Sequence, residues 1–108
     1  MSSLQIDLRD LPKGPLDAAA QFYATELAEI RDDCEALAEY DLVLLFAPAG
    51  PEHGAWRLAA VQELARELAP QRVNAIAGED PDVVMQALAY LDRAPGVTGQ
   101  LLCLDGNR

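Results

Sequence analysis

The sequence has few of the side chains from which catalytic and metal sites are usually built. Among its 108 residues, His53 is the only histidine, Lys13 the only lysine, and Cys34 and Cys103 the only cysteines. Two cysteines are too few for the disulfide framework of a small secreted domain, and free thiols are typical of a reducing cytosol. No cysteine or second histidine lies near His53 in sequence to complete a zinc site. We therefore expect a cytoplasmic protein with no bound metal.

Basic residues are also scarce, since eight Lys+Arg stand against eighteen Asp+Glu and the formal net charge is −10. Such a surface repels a phosphate backbone and an anionic membrane. The longest apolar run, residues 42–50, is far shorter than the roughly 20 residues of a membrane-spanning helix. The N-terminal residues lack the basic and apolar regions of a signal peptide. The sequence therefore predicts neither a nucleic-acid partner nor a membrane partner.

The residues that are present predict one α/β domain over residues 1–108. The composition is 51% hydrophobic and 24% charged, which supplies enough apolar surface for a folded core. Alternating or continuous apolar runs predict four strands, at 4–8, 41–47, 72–77 and 97–105. Apolar residues spaced by three and four predict three helices, at 16–39, 55–69 and 80–91. This alternation predicts a Rossmann-like half-domain in two or three layers, with mostly parallel strands in the order β-α-β-α-β-α-β.

Two segments resemble the short-chain dehydrogenase/reductase family. Residues 67–77, ELAPQRVNAIA, are similar to the family's E-L-A-P helix end and the V-N-A-I-A-P-G strand that follows it. Residues 97–106, VTGQLLCLDG, are similar to its closing T-G-Q-x-L-x-V-D-G-G strand. The chain from about Leu16 onward therefore resembles the C-terminal half of that family, without its nucleotide-binding half. The resemblance implies an oxidoreductase ancestry and subunit pairing through two helices and the last strand.

The catalytic residues that the resemblance implies are absent. The family uses a Ser, a Tyr and a Lys four residues after the Tyr, where the Lys helps the phenol to exchange a proton with the substrate. Counting back from Glu67 places the Tyr and Lys positions near Gly50 and Gly54. No tyrosine of this chain has a lysine four residues on, and the second predicted strand is followed by no serine. We expect no dehydrogenase catalysis by this chain alone.

A dinucleotide site is not predicted either. Such a site needs glycines between a strand and its helix so that backbone N–H groups approach the pyrophosphate. The only glycine pair in a strand-to-helix loop is Gly50 and Gly54, where Pro51 has no N–H and Glu52 would repel a phosphate. The family's proline is also missing after Ala77. We therefore expect no cofactor.

The other polar candidates have ordinary structural interpretations beside functional ones. His53 is interpreted either as a base or ligand at the carboxyl end of a strand or as an exposed loop residue, and we favour the exposed loop. The acidic cluster of Glu79, Asp80 and Asp82 suits a hard cation or a helix N-terminus, and we favour the helix N-terminus. Both cysteines are interpreted as core residues.

Two aromatic side chains are predicted to project outward from the helices, Phe22 from the first and Trp56 from the second. They are interpreted either as helix-end aromatics that fold onto a neighbouring loop or as interface anchors, since aromatic anchors among small residues are typical of subunit interfaces. The subunit pairing that the resemblance implies favours the interface. Apolar strands need cover on both sheet faces, and right-handed crossovers tend to place consecutive helices on one face, so we expect a homodimer or higher oligomer. The candidate interface comprises Phe22, Trp56, Ala59, Ala60, Glu63, Val97, Gln100 and Leu102.

Three functional hypotheses follow. The first is a non-catalytic short-chain dehydrogenase-like domain that acts through self-association or as an accessory subunit. The second is a small-molecule- or nucleotide-binding protein with a non-standard cleft, whose candidate loop residues are Pro48, Gly50, His53, Gly78 and Glu79. The third is a module that pairs with a full-length short-chain dehydrogenase.

Overall fold

A computed structural model describes residues 3–104 of the chain. The elements are β1 (Leu4–Asp7), α1 (Pro15–Gln21), a π-helical turn (Phe22–Glu26), α2 (Leu27–Ala36), β2 (Leu42–Phe46), a 3₁₀ turn (Pro51–His53), α3 (Gly54–Leu68), β3 (Val73–Ala77), α4 (Pro81–Asp92) and β4 (Leu101–Cys103). The backbone stays right-handed helical at both ends of the π turn, so α1, the π turn and α2 form one continuous helix. The predicted alternation of four strands and three helices is confirmed.

The four strands form one parallel sheet in the order β1-β2-β3-β4. Leu42 in β2 lies opposite Leu4 of β1 and Val73 of β3, and Ala75 of β3 lies opposite Leu101 of β4. Every residue of β2 and β3 is buried, as their continuous apolar sequences predict for central strands of a parallel sheet. Edge strand β1 instead alternates half-buried and exposed residues.

The helices cover both faces of the sheet, which gives three layers. One core packs α1, the π turn, α2 and α3 against alternate strand residues such as Leu44 and Ala75. The other packs α4 against the opposite-facing residues Val43, Leu45 and Ile76. In a parallel sheet whose strands follow sequence order, a right-handed crossover and a left-handed crossover place their helices on opposite faces. The crossover through α4 therefore has the opposite handedness to the other two. The expectation that consecutive helices share one face holds for the first two connections and is wrong for α4.

The first part of the first helix, up to Phe22, turns a different side to the core than the predicted one, whereas Ile30 and Cys34 after the π turn are buried as predicted. The N–H of Leu27 bonds to the carbonyl of Phe22, five residues back, so one extra residue is inserted into the helix. An extra residue rotates the following side chains by about 100°. Phe22 is therefore 0% exposed and belongs to the core, whereas Leu16 is 86% exposed. The expectation that Phe22 projects outward is wrong.

Trp56 also faces inward. Its ring centroid lies 5.6 Å from those of both Phe22 and Phe46, and its indole N–H donates to His53. It is half-buried against the core beneath α1 and α3. The expectation that Trp56 projects outward is wrong, because its indole packs on Phe22 of the π turn and Phe46 of β2 and is held by His53 of the loop before α3.

The last strand is shorter than the predicted segment 97–105. Gly99 has a φ of +73°, which a strand residue does not adopt, and pairing with β3 begins only at Leu101. The preceding residues are held by β3: the buried Asn74 amide donates to the carbonyl of Val97 and accepts from the N–H of Gln100. The two segments that carry the family resemblance therefore meet at this junction. Asp105, at the end of the predicted strand, lies outside the described residues.

Arg72 holds the C-terminal end of α4 at the start of β3. Its guanidinium donates to the carbonyl oxygens of Leu91 (3.0 Å) and Ala94 (2.6 Å), and its Nε donates to the Asp41 carboxylate at 2.8 Å. The Asp41 carboxylate also accepts from the Arg72 backbone N–H. The hydrogen bonds of Arg72 and Asp41 connect the end of α4 to the starts of β2 and β3, which holds the helix on the second face of the sheet.

The burial of Phe22 is tested by comparing Phe22→Ala with Tyr23→Ala. The two residues are adjacent in the helix, but Phe22 is 0% exposed and Tyr23 is 48% exposed. We expect Phe22→Ala to lower the free energy of unfolding by about 3–5 kcal/mol, because it leaves a cavity between Trp56 and the sheet. Tyr23→Ala should cost less than about 1 kcal/mol. Urea denaturation followed by circular dichroism measures both, and a larger loss for Tyr23→Ala than for Phe22→Ala would show that the helix is in the other phase.

Candidate functional site

A cleft of about 370 Å³ opens at the carboxyl ends of β1 and β2. Its walls are the loop after β1, the loop after β2 and the first turn of α3. The residues lining it are Leu8, Arg9, Leu11, Pro12, Lys13, Ala47, Pro48, Ala49, Gly50, Glu52, His53 and Arg57. A smaller cavity of about 30 Å³, the size of one water molecule, lies on the β3–β4 side and shares Arg57 as a wall. The carboxyl ends of parallel strands are where α/β folds usually bind ligands.

Three of the predicted cleft residues, Pro48, Gly50 and His53, line this cleft. Gly78 and Glu79 line neither of the two cavities. Gly78 instead packs against the side chain of Leu104, and Glu79 is exposed before α4. The structure therefore brings the loop after β2 to the site and leaves the loop after β3 outside it.

His53 is a buried structural residue. It is 4% exposed, so the interpretation as an exposed loop residue is wrong. The Trp56 indole can only donate, so Nδ1 of His53 accepts from it at 3.1 Å, and Nε2 carries the proton and donates to the Lys13 carbonyl at 2.8 Å. Both ring nitrogens are therefore occupied in holding α3 to the loop before α1, and neither is free to act as a base or a metal ligand.

Arg57 is the functional candidate that the sequence analysis missed. It is 7% exposed and its guanidinium carbon lies 4.6 Å from the centre of the Phe46 ring. One terminal nitrogen, Nη1, donates to the Ala47 carbonyl at 2.9 Å. The spacing of α3 contains a signal for this burial. Arg57 precedes Val61 and Leu64 by four and seven residues, which places it on the apolar face of the helix. An arginine on the apolar side of a helix is a candidate buried cation.

Arg57 lies in an environment that opposes its charge. Burial lowers the pKa of the Arg57 guanidinium from its ordinary value, and the nearby Cys103 side chain raises it. Burying a cation costs free energy unless a charge or hydrogen bonds compensate. Among residues 3–104, the Nε of Arg57 has no hydrogen-bond partner. The ring of Phe46 and the carbonyl of Ala47 compensate the charge only in part.

The other charges of the cleft lie at its rim. Arg9 binds the Asp7 carboxylate through both Nε and Nη2 at 2.9 Å, and this hydrogen bonding lowers the pKa of Asp7 to about 2. Arg9 is thus already neutralised. Lys13 forms no salt bridge with the described residues, and the Glu52 carboxylate lies over Gly50. With Arg57, Lys13 and Glu52 counted, the cleft has one net positive charge in a strongly acidic molecule.

The acidic cluster before α4 acts as a helix N-terminus. The Asp80 carboxylate accepts from the Asp82 N–H at 3.0 Å, which is an N-cap, and Pro81 occupies the first helical position. The favoured interpretation of these residues is confirmed. Within residues 3–104, no group of three or more His, Cys, Asp or Glu side chains is arranged to hold a metal ion.

The remaining interface candidates lie in different environments. Ala59 and Glu63 are exposed on α3, and Gln100 is exposed before β4. Ala60 is fully buried, while Val97 and Leu102 are half-buried and pack against the core beneath α4. No described helix is long and apolar enough to cross a membrane.

These features define a Rossmann-like α/β domain with a cleft at its strand ends. The chain matches, over residues 6–104, a family model described as short chain dehydrogenase-like protein. No curated protein and no solved structure matches the chain significantly. The chain therefore belongs to the short-chain dehydrogenase-like family, and the predicted resemblance to that family is confirmed.

The two cysteines are expected to differ in reactivity. Cys34 is 1% exposed, and burial, with a smaller contribution from Asp33, raises the pKa of its thiol. Cys103 is exposed at the end of β4, which corrects its interpretation as a core residue. Only the thiolate reacts with alkylating agents, so iodoacetamide should modify Cys103 in the folded protein and Cys34 only after unfolding.

Intact-mass spectrometry of the native and urea-unfolded protein measures this difference. In the matched variant Cys103→Ser, the native chain should stay unmodified over the time in which the wild type gains one label. Rapid labelling of native Cys103→Ser would contradict the burial of Cys34 against the sheet.

Proposed function

We propose that this chain is a non-catalytic member of the short-chain dehydrogenase-like family that acts through association, as a homodimer or as an accessory subunit. The absence of catalysis is supported by the chemistry of the cleft. Glycines stand at positions 50 and 54, where the resemblance places the tyrosine and lysine, and both line the smaller cavity. The neighbouring His53 has both nitrogens engaged. Arg57 can attract an anion but is a poor proton acceptor, since guanidinium stays protonated in proteins.

Dinucleotide binding is disfavoured by the same loop. Glu52 lies over Gly50 and places a carboxylate at the mouth of the cleft. A pyrophosphate approaching α3 would meet this carboxylate and the acidic surface of the molecule. The loop also begins its 3₁₀ turn with Pro51, which has no N–H to donate.

Cofactor titration tests the non-catalytic part. We expect NADH and NADPH at sub-millimolar concentration to leave both Trp56 fluorescence and the thermal unfolding midpoint unchanged, because nothing in the loop compensates a pyrophosphate. Trp56 is the only tryptophan and bonds to His53, which lines the cleft, so its emission reports on that wall. N-acetyltryptophanamide corrects for light absorbed by the cofactor. Saturable quenching of the wild type by either cofactor would contradict the proposal.

The surface that supports association is the outer side of α2 and α3. Tyr23 is 48% exposed and lines a groove of about 250 Å³ between the helices, together with Leu27 and Glu63. A two-pronged ion pair from Arg31 to Glu67, with distances of 2.6 and 2.7 Å, joins the two helices across this groove. An aromatic side chain beside a small residue such as Ala60, which lines the same groove, is typical of interface centres. The second copy is our proposed partner, and a full-length short-chain dehydrogenase is the alternative.

Mass measurement of the native protein tests the association. We expect a dimer that Tyr23→Glu converts to monomer, since a carboxylate there adds a charge to an already acidic contact. The matched control is Tyr90→Glu, because Tyr90 is 49% exposed on α4 across the sheet. Raising the salt concentration should strengthen the wild-type dimer by screening its self-repulsion.

Three results distinguish the alternatives. Dissociation by Tyr90→Glu alone would assign the contact to α4 and β4, where Val97, Gln100 and Leu102 lie. A monomer at every protein and salt concentration would contradict self-association. Recovery of the chain from cell extract with a full-length short-chain dehydrogenase, lost in Tyr23→Glu, would support the accessory role.

A further inference from the structure

Two unpaired cations meet in the cleft. Within residues 3–104, the basic side chains with no carboxylate within 4.0 Å are Lys13, Arg57 and Arg93. Lys13 and Arg57 line the same cleft. In a chain with eighteen acidic residues, a buried arginine without a carboxylate partner is unexpected.

The hydrogen bonds of the Arg57 guanidinium show which of its donors lack a protein partner. Nη1 is used by the Ala47 carbonyl, and Nε is buried with no partner among the described residues. Nε and Nη2 form one edge of a guanidinium, and elsewhere in this molecule that edge binds carboxylates with two hydrogen bonds. Arg9 holds Asp7 in this way, and Arg31 holds Glu67. Arg57 has the same donor pair with no protein carboxylate on it within the described part of the chain.

We propose that the cleft binds a small monocarboxylic acid, whose carboxylate accepts hydrogen bonds from the Nε and Nη2 of Arg57. The site lies in the first turn of α3, where the helix dipole adds to the positive potential. Lys13 stands at the rim as a second, exposed cation. This binding site is independent of association through α2 and α3, since none of its residues lies on that surface.

The lining of the cleft selects the ligand class. One net positive charge from Arg57, Lys13 and Glu52 suits a monoanion and disfavours a phosphate dianion or a nucleotide. Apart from Arg9, which is paired with Asp7, and His53, whose ring nitrogens are both bonded, the remaining lining residues are Leu8, Leu11, Pro12 and the proline-rich loop after β2. A volume of about 370 Å³ lies within the range of ligand sites, roughly 300–1,000 Å³. A carboxylic acid with a short apolar body fits both the charge and the lining.

Titration with sodium butyrate tests the site in the full-length protein labelled with ¹⁵N. We expect butyrate to shift the Nε–H resonance of Arg57 saturably at millimolar concentration. Butyramide, which has the same shape and no charge, should leave that resonance in place. Inorganic phosphate should compete at least about tenfold more weakly than butyrate, because its charge is poorly matched to the site.

Three variants separate the bidentate contact from a general effect of charge. Arg57→Met keeps the packing over Phe46 and removes a buried cation, so it should fold and lose butyrate binding, read from backbone amides. Arg57→Lys keeps the charge without the Nε–Nη2 edge and should weaken binding at least about tenfold. Arg66→Met changes an exposed arginine on the same helix and should leave binding unchanged.

The proposal fails if butyramide binds as well as butyrate, if phosphate binds more tightly than butyrate, or if Arg57→Met binds like the wild type. Asp105 follows β4 in sequence and lies outside the described residues. Butyrate binding should therefore be measured in Asp105→Asn as well, where we expect no change. Binding seen only in that variant would show that the chain supplies its own carboxylate to Arg57, which also overturns the proposal. None of these results depends on whether the protein dimerises.

Discussion

A parallel sheet must be covered on both faces, and residues 3–104 of this chain supply three helices with which to do so. β2 and β3 are buried along their whole length, so each contributes an apolar row to both sides. The first two helical segments cover one side and α4 covers the other. α4 does not cover edge strand β1 on the second side of the sheet. On that side β1 exposes its polar residues Gln5 and Asp7. The sheet is thereby covered within one subunit, so association does not need to supply the second layer.

The position of α4 depends on polar groups at the start of β3. Arg72 binds the last carbonyls of the helix and the Asp41 carboxylate, and Asn74 binds the backbone that leads into β4. These bonds are half-buried or buried, where an unpaired backbone group would cost about 1–3 kcal/mol. The residues that most resemble a dehydrogenase therefore build the junction between β3 and β4. These residues therefore have a role in folding.

The cleft lies at the strand ends, and its lining includes few groups that could transfer a proton. Glycines stand near the positions where the resemblance implies a tyrosine and a lysine, beside a histidine with both nitrogens bonded and a buried arginine. His53 stabilises the loop before α1, whereas the buried Nε of Arg57 has no partner among residues 3–104. One buried polar group is thus satisfied by the protein and the other only in part. This contrast is why we assign a structural role to His53 and a binding role to Arg57.

Local sequence was enough to establish the order of strands and helices, the apolar central strands and the N-cap of α4, because side-chain period and capping are properties of neighbouring residues. Only tertiary contacts established the rest. The π turn changes the phase of the first helix and has no signature in the composition of that segment. As a result Phe22 is buried and Leu16 is exposed, the reverse of the predicted arrangement. The side of the sheet taken by α4 depends on Arg72 and on strands distant in sequence. The burial of His53 and Arg57 likewise requires loops that meet only when the sheet has formed.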